Sequence, residues 1–210
     1  FTHRWNPHMR KARQLVAEGA IGDIQTVDSA LCFNVIEPDG NIRFSEALAG
    51  GALWDAGSYA VYAVRFVMSA EPTHVIGYSH DSGNWGVDTT FSGTMKFNNG
   101  AIGNITTNMQ QPFRCFITIH GSAGQIEIPN MFDDSGPIVI KRGDGRTSRD
   151  EQVIAVPAPN RFVVQLDEFT QCVLTGEKPE FPAEDGLANT TVLEALYESA
   201  NSGASVSLGT

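Results

Sequence analysis

Asp55 and Tyr59 stand four residues apart, directly after the glycine pair Gly50-Gly51 and ahead of the apolar run Ala60-Val61-Tyr62-Ala63-Val64. Glycines let a backbone turn tightly, and an aspartate just behind them can accept hydrogen bonds from the first free N–H groups of a helix. A tyrosine four residues later falls one turn up the same face. An acid and a phenol presented together can position and move a proton, and the same two residues serve equally as a helix cap and a packed aromatic ring. Arg43, in Asn41-Ile42-Arg43, is delivered close by in sequence, either as a site cation or as a solvated loop charge. His3 and Arg4 can face the same cleft or fray with the chain start. Asp88 reads as a turn or strand-end residue.

Other chemistries find little support. Cys32, Cys115 and Cys172 are isolated and odd in number, so they read as buried thiols of a reducing compartment, neither a disulfide framework nor a zinc site. Of the five histidines only His3 and His8 are close, and no His-Glu-x-x-His occurs, so no metal is expected. A formal net charge of −10 without a basic stripe argues against nucleic acid as a partner. No run reaches the ~18 apolar residues of a membrane span, and no membrane partner is expected. The chain opens at Phe1 without the basic start and apolar run of a signal peptide. We therefore expect a soluble, cytoplasmic protein, and a chain that begins inside something larger or has been trimmed.

The elements that must position Asp55 and Tyr59 follow from periodicity. Asn6-Pro7 opens a helix carrying Met9, Ala12, Leu15 and Val16 on one face, and Gly19 ends it. Ile24 to Val35 reads as a strand, and Pro38-Asp39-Gly40 turns the chain. The helix behind Tyr59 buries Tyr62, Ala63, Phe66 and Val67 and stops at Glu71-Pro72. Then come strand runs at Thr73–Ser79, Val87–Phe97, Ala101–Met109, Phe113–His120, Gln125–Ile128, Pro137–Lys141 and Gln152–Val156. The polar stretch Arg142 to Glu151 is the most flexible candidate. Short links between successive strands imply antiparallel pairing. Helices at Asn160–Leu174 and Ala183–Ala200 follow, each with its apolar residues on one side, and Ser205–Leu208 returns as an edge strand. This is a single domain over residues 1–210, of α+β class, with an open, predominantly antiparallel β-sheet and helices packed on one face. An uncovered, apolar sheet face would drive self-association, so we expect a homo-oligomer.

Several pieces in order resemble the C-terminal domain of the glucose-fructose oxidoreductase / inositol dehydrogenase / MocA family of nicotinamide-dependent oxidoreductases. They are Arg4-Trp5-Asn6-Pro7, Gly19-Ala20-Ile21-Gly22-Asp23, Asn41-Ile42-Arg43, Gly50-Gly51-Ala52-Leu53-Trp54-Asp55-Ala56-Gly57-Ser58-Tyr59, Glu71-Pro72, Gly86-Val87-Asp88, Gly121-Ser122-Ala123-Gly124 and Ser199-Ala200-Asn201-Ser202-Gly203. The resemblance implies a substrate-binding and oligomerisation domain of an enzyme that moves a hydride between NAD or NADP and a sugar, polyol or related diol. The nucleotide would be bound mainly by an N-terminal Rossmann domain. No Gly-x-Gly-x-x-Gly follows a strand in this chain, so no cofactor-binding residue is assigned and the chain alone is expected to be inactive. Asp55 and Tyr59 match the family's Asp-x-x-x-His/Tyr pair. Tyr59 would move the hydroxyl proton, its pKa of ~10 lowered by the helix start and by a lysine of the other domain. Arg43, Arg4 and Trp54 are the candidates for substrate binding, Trp54 either as a sugar platform or as packing. The family's catalytic lysine lies in Glu-Lys-Pro, but Glu177-Lys178-Pro179 follows the helix stop Thr175-Gly176 and reads as a connector. The alternative is a non-catalytic binding or assembly domain that keeps the fold without the chemistry.

Overall fold

The structure, a computed structural model, describes residues 1–143, 150–156 and 159–209. Its elements are α1 (Pro7–Ala17), β1 (Ile24–Asn34), α2 (Ser58–Met68), β2 (Pro72–His80), β3 (Thr90–Phe97), β4 (Ile102–Asn108), β5 (Gln110–Gly121), β6 (Gly124–Ile128), β7 (Ile138–Arg142), β8 (Asp150–Ile154), α3 (Arg161–Thr175), α4 (Ala183–Ser202) and β9 (Val206–Ser207). Residues 144–149, the middle of the stretch expected to be most flexible, lie outside the described residues.

One sheet runs β8-β7-β6-β5-β1-β4-β3-β2-β9, and among the described strands only β1 and β4 pair in parallel. The expected α+β class is the one observed. The expectation that short links join sheet neighbours fails at one place. Met109 alone separates β4 from β5, yet β1 lies between them, parallel to β4 and antiparallel to β5. Met109 is fully buried, its N–H donates to the Thr89 carbonyl and its own carbonyl accepts from Val35, so the chain crosses past the end of β1 instead of folding back. The Asn98-Asn99-Gly100 turn and the tight link between β5 and β6 form as their glycines foretell, Gly100 taking φ +88° and Gly121 pairing with Gly124.

Alternate strand residues point into the core. Val27, Leu31, Phe91, Met95, Ile105, Ile117 and Ile119 meet Val61 and Val64 of α2 and Leu193 and Leu196 of α4 in one cluster. The opposite face is uncovered, and it is polar where an apolar face was expected. Asp28, Asn104, Thr106, Thr118, His120 and Glu127 line a hollow of about 410 Å³ there. The alternation of Thr, Asn and charged residues with Ile in β4, β5 and β6 produces that chemistry.

Two helix details also differ. Asn6 does not cap α1; its side-chain amide donates to the Met131 carbonyl, tying the helix start to the β6–β7 link. In α3 Asn160 Oδ1 caps the start, accepting from Phe162 N at 2.9 Å, and Gly176 ends the helix at φ +75°, where the stop was expected. Its apolar stripe, however, is not packed. Phe162, Val163, Leu166, Phe169 and Val173 are each at least half exposed, because α3 lies against the Thr2–Trp5 turn and away from the sheet.

Candidate functional site

Asp55 does not cap the helix, as its position after the glycines suggested. Helical backbone already begins at Ala52, and Leu53–Gly57 form a π-helical turn that leads into α2, with Asp55 inside it. The Asp55 N–H is satisfied by the Gly51 carbonyl at 3.0 Å. Its carboxylate is thereby free, and Oδ2 accepts from Arg43 Nε at 2.8 Å. Both side chains remain about a third exposed, at 33% and 38%. A charge-assisted bond of this length fixes the carboxylate while leaving its other lone pairs available to a ligand.

Tyr59 lies one turn onward. Its ring centroid is 5.5 Å from Phe1, 5.6 Å from His3 and 5.3 Å from Phe132. The ring is therefore clamped by aromatic edges, and it is only partly buried. His3 is not frayed. It is fully buried in this aromatic nest, both ring nitrogens lack partners, and burial pushes its pKa down to about 3, so the imidazole is neutral.

The structure pairs Arg43 with Asp55 and sets Tyr59 one turn along the same helix in the aromatic nest, and it gives Arg4 and Trp54 other company. Arg4 Nη1 bonds Asp185 at 3.0 Å and the Tyr62 hydroxyl at 3.3 Å, and its guanidinium sits over the Phe181 ring. Asp185 also faces Arg65, which is buried and grips Glu71 through two short bonds of 2.7 and 2.6 Å. Trp54, next to Asp55 in sequence, turns to the other side of the helix and packs on Tyr197. There it lines a pocket of about 660 Å³ with Glu46, Asp81, Asp88 and Asn201. Lys178 lies in the coil after Gly176, as the helix stop foretold.

Asp88 is the residue that sequence reasoning missed. It precedes β3 and is buried, and its Oδ2 accepts from Leu53 N at 2.8 Å while its carbonyl accepts from Ala52 N at 2.7 Å. The Tyr197 hydroxyl donates to its Oδ1 at 2.6 Å. Burial raises the Asp88 carboxyl to about 6 against these stabilising bonds, and burial together with the Asp88 charge raises the Tyr197 phenol. Its sequence signals were an aspartate at an apparent strand start and its place in Gly86-Val87-Asp88, one of the pieces that resemble the family, and neither points to the helix it caps.

The GFO/IDH/MocA C-terminal domain family matches residues 9–127, more than half of the chain. The chain belongs to this family. Among its curated relatives, D-xylose 1-dehydrogenase (NADP(+)) 2 of Haloferax volcanii is 28% identical over 99% of this chain and 63% of its own. A dTDP-3,4-didehydro-2,6-dideoxy-alpha-D-glucose 3-reductase of Actinomadura kijaniata is 26% identical over 93% of this chain and 58% of its own. The crystal structure of aldose-aldose oxidoreductase from Caulobacter crescentus, complexed with glycerol, superposes with a TM-score of 0.89. It is 28% identical and covers 99% of this chain and 62% of its own. The chain thus spans about six-tenths of the length of the proteins it matches.

Proposed function

We propose that residues 1–210 form the substrate-binding and oligomerisation domain of an NAD(P)-dependent oxidoreductase acting on a sugar, polyol or related diol. The observation that carries this reading is the Arg43–Asp55 pair at 2.8 Å, partly exposed, one helical turn before Tyr59. Tyr59 exchanges the proton of a substrate hydroxyl, and Asp55, held by Arg43, accepts from that hydroxyl and orients it. Arg4 and Trp54 act from the margins, through the Asp185 network and the Tyr197 contact. The sugar dehydrogenases and reductases among the relatives support the substrate class.

The nicotinamide nucleotide does not fit the residues of this chain. Gly121-Ser122-Ala123-Gly124 closes the link between β5 and β6, and the helix start after Gly50-Gly51 has its leading N–H donors taken by Asp88. Neither offers a pyrophosphate the free N–H donors it needs. A separate domain holds the nucleotide, and this chain alone is inactive. The polar, uncovered sheet face meets a second copy in a homo-oligomer, through hydrogen bonds and ion pairs and not through apolar burial.

The test is kinetic. The complete protein, given NAD or NADP with a panel of aldoses, polyols and diols, turns over at least one of them. Tyr59→Phe then lowers kcat by about 10²-fold or more with nucleotide binding unchanged. No turnover together with no nucleotide binding favours the non-catalytic alternative, and an undiminished Tyr59→Phe enzyme removes Tyr59 from the chemistry.

A further inference from the structure

The helix that carries Asp55 and Tyr59 is started by residues from outside itself. The leading two N–H groups are those of Ala52 and Leu53, and both donate to Asp88, one to the main-chain carbonyl and one to the carboxylate. Tyr197, from α4, donates to the other carboxylate oxygen, and Thr107, from β4, donates to the Ala52 carbonyl at 3.1 Å. Gly51, at φ +122°, passes so close that a Cβ there would run into Asp88 Oδ1 and come within 2.8 Å of the Tyr197 hydroxyl. The loop before β3, the sheet and α4 therefore converge on one peptide.

The placement of that peptide matters because a π-helical turn, Leu53–Gly57, comes directly after it. Such a turn takes one residue more per hydrogen-bonded ring than the α-helix it leads into, so the peptide at which it starts sets the register of everything after it. A one-residue shift of the start rotates every later side chain by about 100°, the angle of one residue at 3.6 per turn. Asp55 would leave Arg43, and Tyr59 would leave the aromatic nest. We propose that Asp88 and Tyr197 are positioning residues that set the start of the π-turn and thereby aim Asp55 and Tyr59 at the substrate. This rests on the reading of Asp55 and Tyr59 as the proton-handling pair.

The experiment uses the complete protein with Asp88→Ala, Asp88→Asn and Tyr197→Phe, read by steady-state kinetics and by hydrogen exchange of peptides covering residues 52–61 and 62–68. Asp88→Ala removes the carboxylate. We expect faster exchange in 52–61 but not in 62–68, and kcat lowered by about a hundredfold with nucleotide KM unchanged, as for a reacting group displaced by about 1 Å. Asn keeps a carbonyl oxygen for Leu53 N–H and an amide to pair with Tyr197, so Asp88→Asn restores most of both readouts. Tyr197→Phe, which leaves the cap in place, has the same effect in smaller degree and serves if Asp88→Ala does not fold. The proposal is overturned if exchange in 52–61 is unmoved, or if it rises while kcat stays at the wild-type value, which would make Asp88 merely structural. If the unaltered protein turns over no substrate, the oxidoreductase reading fails, and the exchange data alone then decide whether Asp88 and Tyr197 set the helix start.

Discussion

His3 and Asp88 are both buried titratable groups, and their burial works in opposite directions on stability. Neutral His3, at about 3 in the folded chain, stays unprotonated as pH falls below the ~6.5 of an unfolded histidine, where the unfolded chain takes up the proton instead. Its contribution is present above that value and is lost toward acid, by about 2 kcal/mol between pH 7 and pH 5. Asp88, raised to about 6, binds its proton more tightly folded than unfolded, so its contribution is present below the unfolded value and is lost as pH rises through about 6. Between pH 4 and 6.5 the two slopes oppose each other, and single variants separate them. Urea unfolding across that window is expected to lose part of its acid sensitivity in His3→Leu and to gain acid sensitivity in Asp88→Asn. Parallel curves for wild type and both variants would mean that neither group is held as the structure has it.

At the scale of elements, the helix start and α3 make contrasting predictions. Gly51 takes φ +122° against Asp88 and Tyr197, so Gly51→Ala combines backbone strain with a collision, and we expect a loss of about 1–3 kcal/mol in chemical denaturation. A loss under about 0.5 kcal/mol, the range of an ordinary surface change, would show that the peptide relaxes freely. In α3 the apolar stripe is left half exposed or more. Phe169 is 61% exposed whereas Phe91 is fully buried between sheet and helices. Phe169→Gln in this chain should therefore change stability by less than about 0.5 kcal/mol, while Phe91→Ala should cost about 3–5 kcal/mol. Comparable losses at the two positions would place α3 in the core. The amphipathic period of α3 was plain in the sequence, but periodicity says which residues share a side and not what covers that side.

For the whole molecule the open question is assembly. Asp28, Asn104, Thr118 and His120 present donors and acceptors across the uncovered face, with His120 Nε2 at 3.4 Å from Asp28. Light scattering of the purified chain should report a dimer or larger species, and Thr118→Arg, in the lining of the hollow, should shift it to monomer without altering the unfolding midpoint. An unchanged mass would move the interface elsewhere. Because the face is polar, added salt should weaken association, the reverse of an apolar contact.

Much of the chain is legible from residue order alone. The helices, most strand runs, the Asn98-Asn99-Gly100 turn, the α+β class and the Asp55/Tyr59 spacing come from hydrophobic period and turn chemistry, which are local properties. The cap is not legible in this way. Asp55 stands where local rules place a cap, but the capping carboxylate comes from Asp88, 35 residues away from the Leu53 amide it holds. Likewise nothing local separates β4 from β5 by an intervening β1, since that order depends on the burial of Met109 and on hydrogen bonds to Thr89 and Val35. Trp54 illustrates the same limit, because nearness in sequence to a site does not choose a side chain's direction. Residue types and their spacing establish which groups could do chemistry and on which element they ride. Where that element begins and which way it is turned depend on long-range hydrogen bonds and packing, which no local pattern contains and which exist only once the chain has folded.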